Sequence, residues 1–147
     1  MGKKKKSIKK IAIVVSSFNE EVTVGLLNGA VNTLKRNGFD EDRVNIFKCP
    51  GAFEIPFTAK KICESKKYSA VICIGAVIKG ETAHFEYISA AVTSGISRLN
   101  LQYNIPVIFG VLTCFTEEQA RARSSDNSEN KGSEAALAAI EMMKMKV

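Results

Sequence analysis

The stretch Ala70-Val71-Ile72-Cys73-Ile74-Gly75-Ala76-Val77-Ile78 decides how the chain folds. An apolar run this continuous suits a parallel strand covered on both faces, because a strand with one wet face would alternate. It is expected at the centre of a sheet. Upstream, Ile11 to Val15 is a shorter β-branched run, followed from about Glu21 to Asn37 by Val22, Leu26, Leu27, Ala30, Val31 and Leu34 at helical spacing. Gly38 is placed to cap that helix. Arg43 to Cys49 reads as a strand carrying Val44, Ile46 and Phe47, ended by Pro50-Gly51, and a second helix is expected to run into Lys67.

Downstream, His84 to Tyr103 places Phe85, Ile88, Val92, Ile96 and Leu99 three and four apart, as an amphipathic helix requires. Ile105 to Leu112 reads as a fourth strand that tolerates Pro106 at its start. Thr116 and Gln119 form a capping box, Ser124 to Asn130 is polar loop chemistry, and a last helix is expected to carry Ala136, Leu137, Ile140 and Met143 on one face. Strand and helix alternate throughout. The pattern predicts an α/β protein, a three-layer αβα sandwich around a four-stranded, mostly parallel sheet. Residues 1–10 are read as a basic, flexible tail and residues 11–147 as a single domain.

Composition narrows the function. The formal net charge is +6, from 21 Lys plus Arg against 15 Asp plus Glu, and Lys3, Lys4, Lys5, Lys6, Lys9 and Lys10 account for the whole excess. The body of the chain is therefore balanced and lacks the basic surplus of a nucleic-acid groove reader, so no nucleic-acid partner is expected. The apolar run Ile11 to Val15 is too short for a signal segment, and no run is long enough to span a bilayer. Cys49, Cys63, Cys73 and Cys114 show no CxxC pairing, and one histidine, His84, supplies a zinc site poorly. Reduced thiols in the cytoplasm, with no metal and no membrane partner, are the expectation.

In open parallel sheets ligands bind beyond the carboxyl ends of the strands. Those ends lead here into Ser16-Ser17-Phe18-Asn19, Pro50-Gly51-Ala52-Phe53-Glu54, Lys79-Gly80-Glu81-Thr82-Ala83-His84 and Thr113-Cys114-Phe115. Their convergence favours a small-molecule pocket over a flat interaction face. Gly75 to Gly80 has the GxxxxG spacing of a phosphate loop, but Glu81 stands where the nucleotide-binding lysine belongs, and a carboxylate there would repel a nucleotide. A GxGxxG dinucleotide fingerprint is absent. Gly80 and Thr82 before a helix suit an anion, and they suit equally an ordinary turn with Thr82 as N-cap. His84 is the one side chain of the pocket mouth that ordinarily titrates near neutrality, which fits proton transfer as well as a surface histidine. Phe18, Phe53 and Phe109 could stack on a planar heterocycle or simply fill space.

Taken together, Ser17-Phe18-Asn19, Pro50 to Pro56, Gly75 to Tyr87, Ile105 to Thr113, Asn130-Lys131-Gly132 and Glu134-Ala135-Ala136 resemble the lumazine synthase family of riboflavin biosynthesis, over about Ile11 to Glu141. The resemblance implies a flavodoxin-like fold and a cofactor-independent transferase. Such an enzyme condenses 5-amino-6-ribitylaminouracil with 3,4-dihydroxy-2-butanone 4-phosphate and releases phosphate and water. By similarity Phe18 would stack on the pyrimidine, Ala52, Phe53 and Glu54 would line the ribityl chain, and Ala76, Val77 and Ile78 would bond the heterocycle through their backbone. Glu81 and Thr82 would meet the phosphate end of the second substrate, and His84 would transfer protons. Phe109, Arg123 and Lys131 match residues that the family supplies from a neighbouring subunit, with Arg123 on the phosphate. The implied partner is a second copy of the chain, in a homopentamer that some members build into an icosahedral 60-subunit shell. Ser17 departs from the family's usual arginine, and Ser124 to Glu129 replaces a turn containing Gly and Lys.

Two rival readings use the same residues differently. One is a catalytically silent scaffold that holds a flavin-like ligand; the other is a thiol hydrolase pairing Cys49 or Cys114 with His84, which alkylation of the thiols would distinguish.

Overall fold

The computed structural model describes residues 8–147. Lys3 to Lys6 of the basic tail lie outside them, while Lys9 and Lys10 are described and exposed. The elements alternate as β1 (Ile11–Ser16), α1 (Glu20–Arg36), β2 (Val44–Cys49), α2 (Ile55–Ser65), β3 (Ala70–Ile78), α3 (His84–Gln102), β4 (Val107–Cys114), α4 (Glu117–Ala122) and α5 (Lys131–Met143). The four strands form one sheet in the order β2-β1-β3-β4, and every pairing is parallel.

Burial follows from two-residue periodicity in a sheet covered on both sides. Along β1, Ile11, Ile13 and Val15 enter one core with Val22, Leu26, Ala30 and Leu34 of α1 and Ala135, Ala136, Ala139 and Ile140 of α5. Ala12 and Val14 enter the other, with Ile55, Ala59 and Ile62 of α2 and Val92, Ile96 and Leu99 of α3. The central strand β3 divides in the same way: Ile72 and Ile74 face the first core, Val71 and Cys73 the second. The chain is thus the αβα sandwich expected, with an all-parallel sheet.

Several local expectations shift. The fourth strand begins at Val107, two residues later than its apolar run and just past Pro106, which has no N–H to give; there the Asn100 side chain takes both the N–H and the C=O of Val107 at 2.8 Å on the edge away from β3. Leu137 is 53% exposed, and the buried face of α5 joins Ala136 and Ile140, as expected, to the small residues Gly132, Ala135 and Ala139. Ile46 is 46% exposed because β2 is an edge strand. Helix α1 ends as expected: Asn37 is its C-cap, and Gly38 follows at φ 91°, a backbone conformation that costs glycine little.

Gly75 explains why the GxxxxG spacing is no phosphate loop. It sits inside β3, and a Cβ there would lie 2.7 Å from Ile55 Cδ1 and 2.9 Å from Ser16 Oγ. The missing side chain lets the first turn of α2 seat against the end of β1.

Candidate functional site

The carboxyl ends of β1, β2 and β3 surround a cavity of about 350 Å³. Phe18 and Asn19 border it after β1, Pro50 to Glu54 after β2, Ala76, Val77 and Ile78 at the end of β3, and His84 and Ile88 in the first turns of α3. Eight of the residues singled out from sequence therefore meet at one opening: Phe18, Ala52, Phe53, Glu54, Ala76, Val77, Ile78 and His84. Phe18 is 71% and Phe53 61% exposed, so neither ring is core filling and both are free to meet a flat ligand.

Backbone hydrogen bonds fix the rim. The N–H groups of Ser17 and Phe18 donate to the carbonyls of Cys49 and Pro50 at 2.9 and 3.0 Å, tying the β1 loop to the β2 loop. Asn19 Nδ2 donates to the Ala76 carbonyl at 3.0 Å, tying the same loop to β3. The chain past Pro50 makes a single 3₁₀ turn over Ala52–Glu54, closed by Glu54 N–H to Gly51 O at 3.2 Å, before α2 starts at Ile55 with Pro56 in its first turn.

A second concavity, of about 400 Å³, opens beside β4. It is lined by Phe109, Gln119, Arg123 and Lys131 together with Val111 to Phe115. Arg123 follows α4, whose Thr116 cap accepts from Gln119 N–H at 3.1 Å while Gln119 Oε1 accepts from Phe115 N–H at 2.8 Å. The Arg123 guanidinium donates to the Gln119 carbonyl at 3.1 Å, and Lys131 Nζ lies 3.2 Å from Glu134 Oε1. Both cations line the concavity, whose lining holds no carboxylate, and Lys131 is shared with Glu134 at its edge, an arrangement suited to an anion held chiefly by Arg123.

Within one chain the candidate residues thus fall into two groups, and Phe109 lies with the cations rather than with Phe18 and Phe53. Glu81 and Thr82 line neither concavity and are exposed. Helix α3 is not capped by the Thr82 side chain in the usual geometry, since Ala83 occupies the N-cap position in an αR conformation; Thr82 Oγ1 accepts instead from His84 N–H at 3.4 Å. Asn19, Gly51 and Ile88 in the first cavity and Gln119 in the second were given no ligand-facing role from sequence. For Asn19 the available signal was its position between a strand end and a helix start.

The cysteines suit no nucleophilic role. Burial pushes all four thiols up from their ordinary range, Cys114 despite the opposing pull of Arg123 and Cys49 despite the nearby Thr58 hydroxyl. Among the described residues no group of three or more His, Cys, Asp and Glu side chains could hold a metal ion, and no helix is long and apolar enough to cross a membrane.

Residues 9–147 match the family model described as 6,7-dimethyl-8-ribityllumazine synthase. That match takes in β1 to α5 and both concavities. An αβα sandwich with an aromatic-edged cavity at its strand ends, in a chain matched over nearly its whole length, leads to one assignment: the protein belongs to the 6,7-dimethyl-8-ribityllumazine synthase family, enzymes of riboflavin biosynthesis.

Proposed function

We propose that the protein joins 5-amino-6-ribitylaminouracil to 3,4-dihydroxy-2-butanone 4-phosphate, forming 6,7-dimethyl-8-ribityllumazine and releasing phosphate and water, in the cytoplasm and without a cofactor. The observation that carries this reading is the first cavity, where an exposed aromatic ring, a strip of strand backbone and a histidine border one space of about 350 Å³ in a member of that family. Phe18 stacks on the pyrimidine, and Ala76, Val77 and Ile78 bond its edge through main-chain groups. Ala52, Phe53 and Glu54 line the ribityl chain.

The chemistry needs protons moved more than it needs a nucleophile. The 5-amino group attacks the ketone and water leaves as the imine forms; loss of a proton then expels phosphate, and the ribitylamino nitrogen closes the ring with loss of a second water. His84 at the cavity wall is the group that relays these protons. Holding both substrates side by side in one site supplies much of the remaining acceleration.

Phosphate binding is the task of Arg123, with Lys131 beside it, while Glu81 and Thr82 border the same end of the second substrate. The two groups of residues occupy separate concavities of one chain, which supports a site completed by a neighbour: Phe109, Arg123 and Lys131 of one copy close over Phe18 and His84 of the next. A homopentamer provides that arrangement around a ring, and an icosahedral shell is its larger form.

The test is to mix the purified protein with both substrates and follow lumazine absorbance and fluorescence against a protein-free control, with Arg123→Ala alongside. Formation well above the spontaneous rate, weakened in the variant, is expected; no acceleration by an oligomer of confirmed mass would leave a ligand-holding scaffold as the better account. Light scattering on the same sample separates pentamer from shell.

A further inference from the structure

Asn19 departs from what its position in the fold would ordinarily ask of it. It is the N-cap of α1, where an asparagine side chain normally accepts from the helix's first free amides, yet its carboxamide makes no such bond. Only its backbone carbonyl serves the helix, accepting from Val22 and Thr23 at 3.0 Å each. The side chain turns the other way and donates Nδ2 to the Ala76 carbonyl at 3.0 Å, across 57 residues of sequence. To do so Asn19 adopts φ 61° and ψ 49°, and among the described residues Lys66 is the one other non-glycine with positive φ. Asparagine tolerates this region better than most residues, though at some cost.

The bond falls where the sheet runs out. The last β1–β3 pair is Val15 with Ile74, and Ala76 lies two residues further on, beside the cavity. A side chain therefore continues the strand-to-strand link after β1 has ended. The residue before it, Phe18, hangs between two anchors: its own N–H on Pro50 O at 3.0 Å and the Asn19 side chain on β3.

We infer that Asn19 is a positioning residue: its carboxamide holds the Phe18 ring at a fixed separation from the Ala76 to Ile78 backbone, so that a planar ligand is stacked and edge-bonded at once. This rests on the reading of the cavity given above. The side-chain amide, not the left-handed turn alone, is what the site requires.

The experiment separates turn from tether. Asn19→Gly keeps the backbone freedom and loses the amide; Asn19→Asp keeps the shape and presents an oxygen to the Ala76 carbonyl. Both should raise KM for the pyrimidine substrate by about five- to tenfold, the equivalent of one net hydrogen bond, with KM for the phosphate substrate and Tm unchanged in Asn19→Gly. Wild-type pyrimidine KM in both variants would overturn the inference, as would a rise of both KM values in step with lost Tm. A wild-type protein that turns nothing over would count against the proposed reaction alone. For that case 4-fluorophenylalanine at position 18 reports the ring directly in the free protein: a shifted, narrower ¹⁹F line in Asn19→Gly is expected, and an unchanged line would overturn the tether.

Discussion

The backbone N–H of Lys131 donates to the carbonyl of Arg123 at 2.8 Å, so the seven residues between them form a closed loop whose two ends carry the cations of the second concavity. Asn130 holds this loop from inside. It is 3% exposed; its Nδ2 donates to Gly25 O at 3.2 Å and Ser125 O at 2.9 Å, and its Oδ1 caps α5 by accepting from Ser133 N–H at 3.0 Å. One side chain thereby joins α1, the loop and α5.

Asn130→Ala should lower stability by about 2–3 kcal/mol, since it removes a helix cap together with the two bonds by which this buried side chain ties the loop to α1. Urea unfolding followed by circular dichroism measures this. A loss under about 0.5 kcal/mol would mean that water replaces the side chain without cost.

Thr116→Ala should act more locally. Helix α4 spans six residues and starts at this cap, so its loss should reduce amide protection at Ala120 and Arg123 while leaving β3 protected. Hydrogen exchange resolves the two regions, and equal loss in both would show that α4 opens only with the whole domain.

For His84→Ala the expected outcome is a slow enzyme rather than a dead one. Turnover should fall about 10²–10⁴-fold if the imidazole relays protons, with KM little changed. Steady-state kinetics with both substrates gives the answer, and an undiminished kcat would remove His84 from the chemistry.

Alkaline pH should expose the buried thiols thermodynamically. Burial is the largest cause raising the pKa of fully buried Cys73, with neighbouring Cys63 and Cys49 adding to it. The unfolded thiol ionises past its ordinary 9.0 while the folded one keeps its proton. The stability tied to this group is therefore complete below that pH and is lost as pH rises above it, by at most about 1.4 kcal/mol per pH unit. Urea midpoints at about pH 8, 9 and 10 should fall more steeply for the wild type than for Cys73→Ala. Parallel slopes would show that other groups govern the alkaline limb.

The fold was legible where one periodicity dominated. The run Ala70 to Ile78 and the spacing Phe85 to Leu99 leave little choice, because nine apolar residues in line need cover on both faces and a three-four repeat needs a helix. Legibility failed at an element's end: the apolar run from Ile105 does not announce that pairing with β3 starts only at Val107, nor that Asn100 will cover that residue's outer edge. Leu137 was misplaced, although Ala136 and Ile140 of the same expected face are buried, because the rest of that face is made of Gly132, Ala135 and Ala139, whose small side chains gave little sign of it. For the candidate site, strand-end logic collected Phe18, Phe53 and His84 correctly at one opening. By itself it could not separate Phe109 from Phe18 and Phe53; the family resemblance, which gives Phe109, Arg123 and Lys131 to a neighbouring subunit, was what pointed to a second concavity. Nor could strand-end logic reveal the direction in which Asn19 points.

Gly75 has a reach beyond its own strand. The two groups that fill the place of its absent side chain belong to Ile55 and Ser16. Ile55 follows directly on Phe53-Glu54, and Ser16 stands two residues before Phe18, so both lips of the opening are gauged against one hydrogen atom in the middle of the sheet. A single methyl group added there would press on both lips from beneath without touching a ligand. The mouth of the cavity is in that sense machined from the interior outward, and its tolerance is set by a residue no visitor to the site would ever meet.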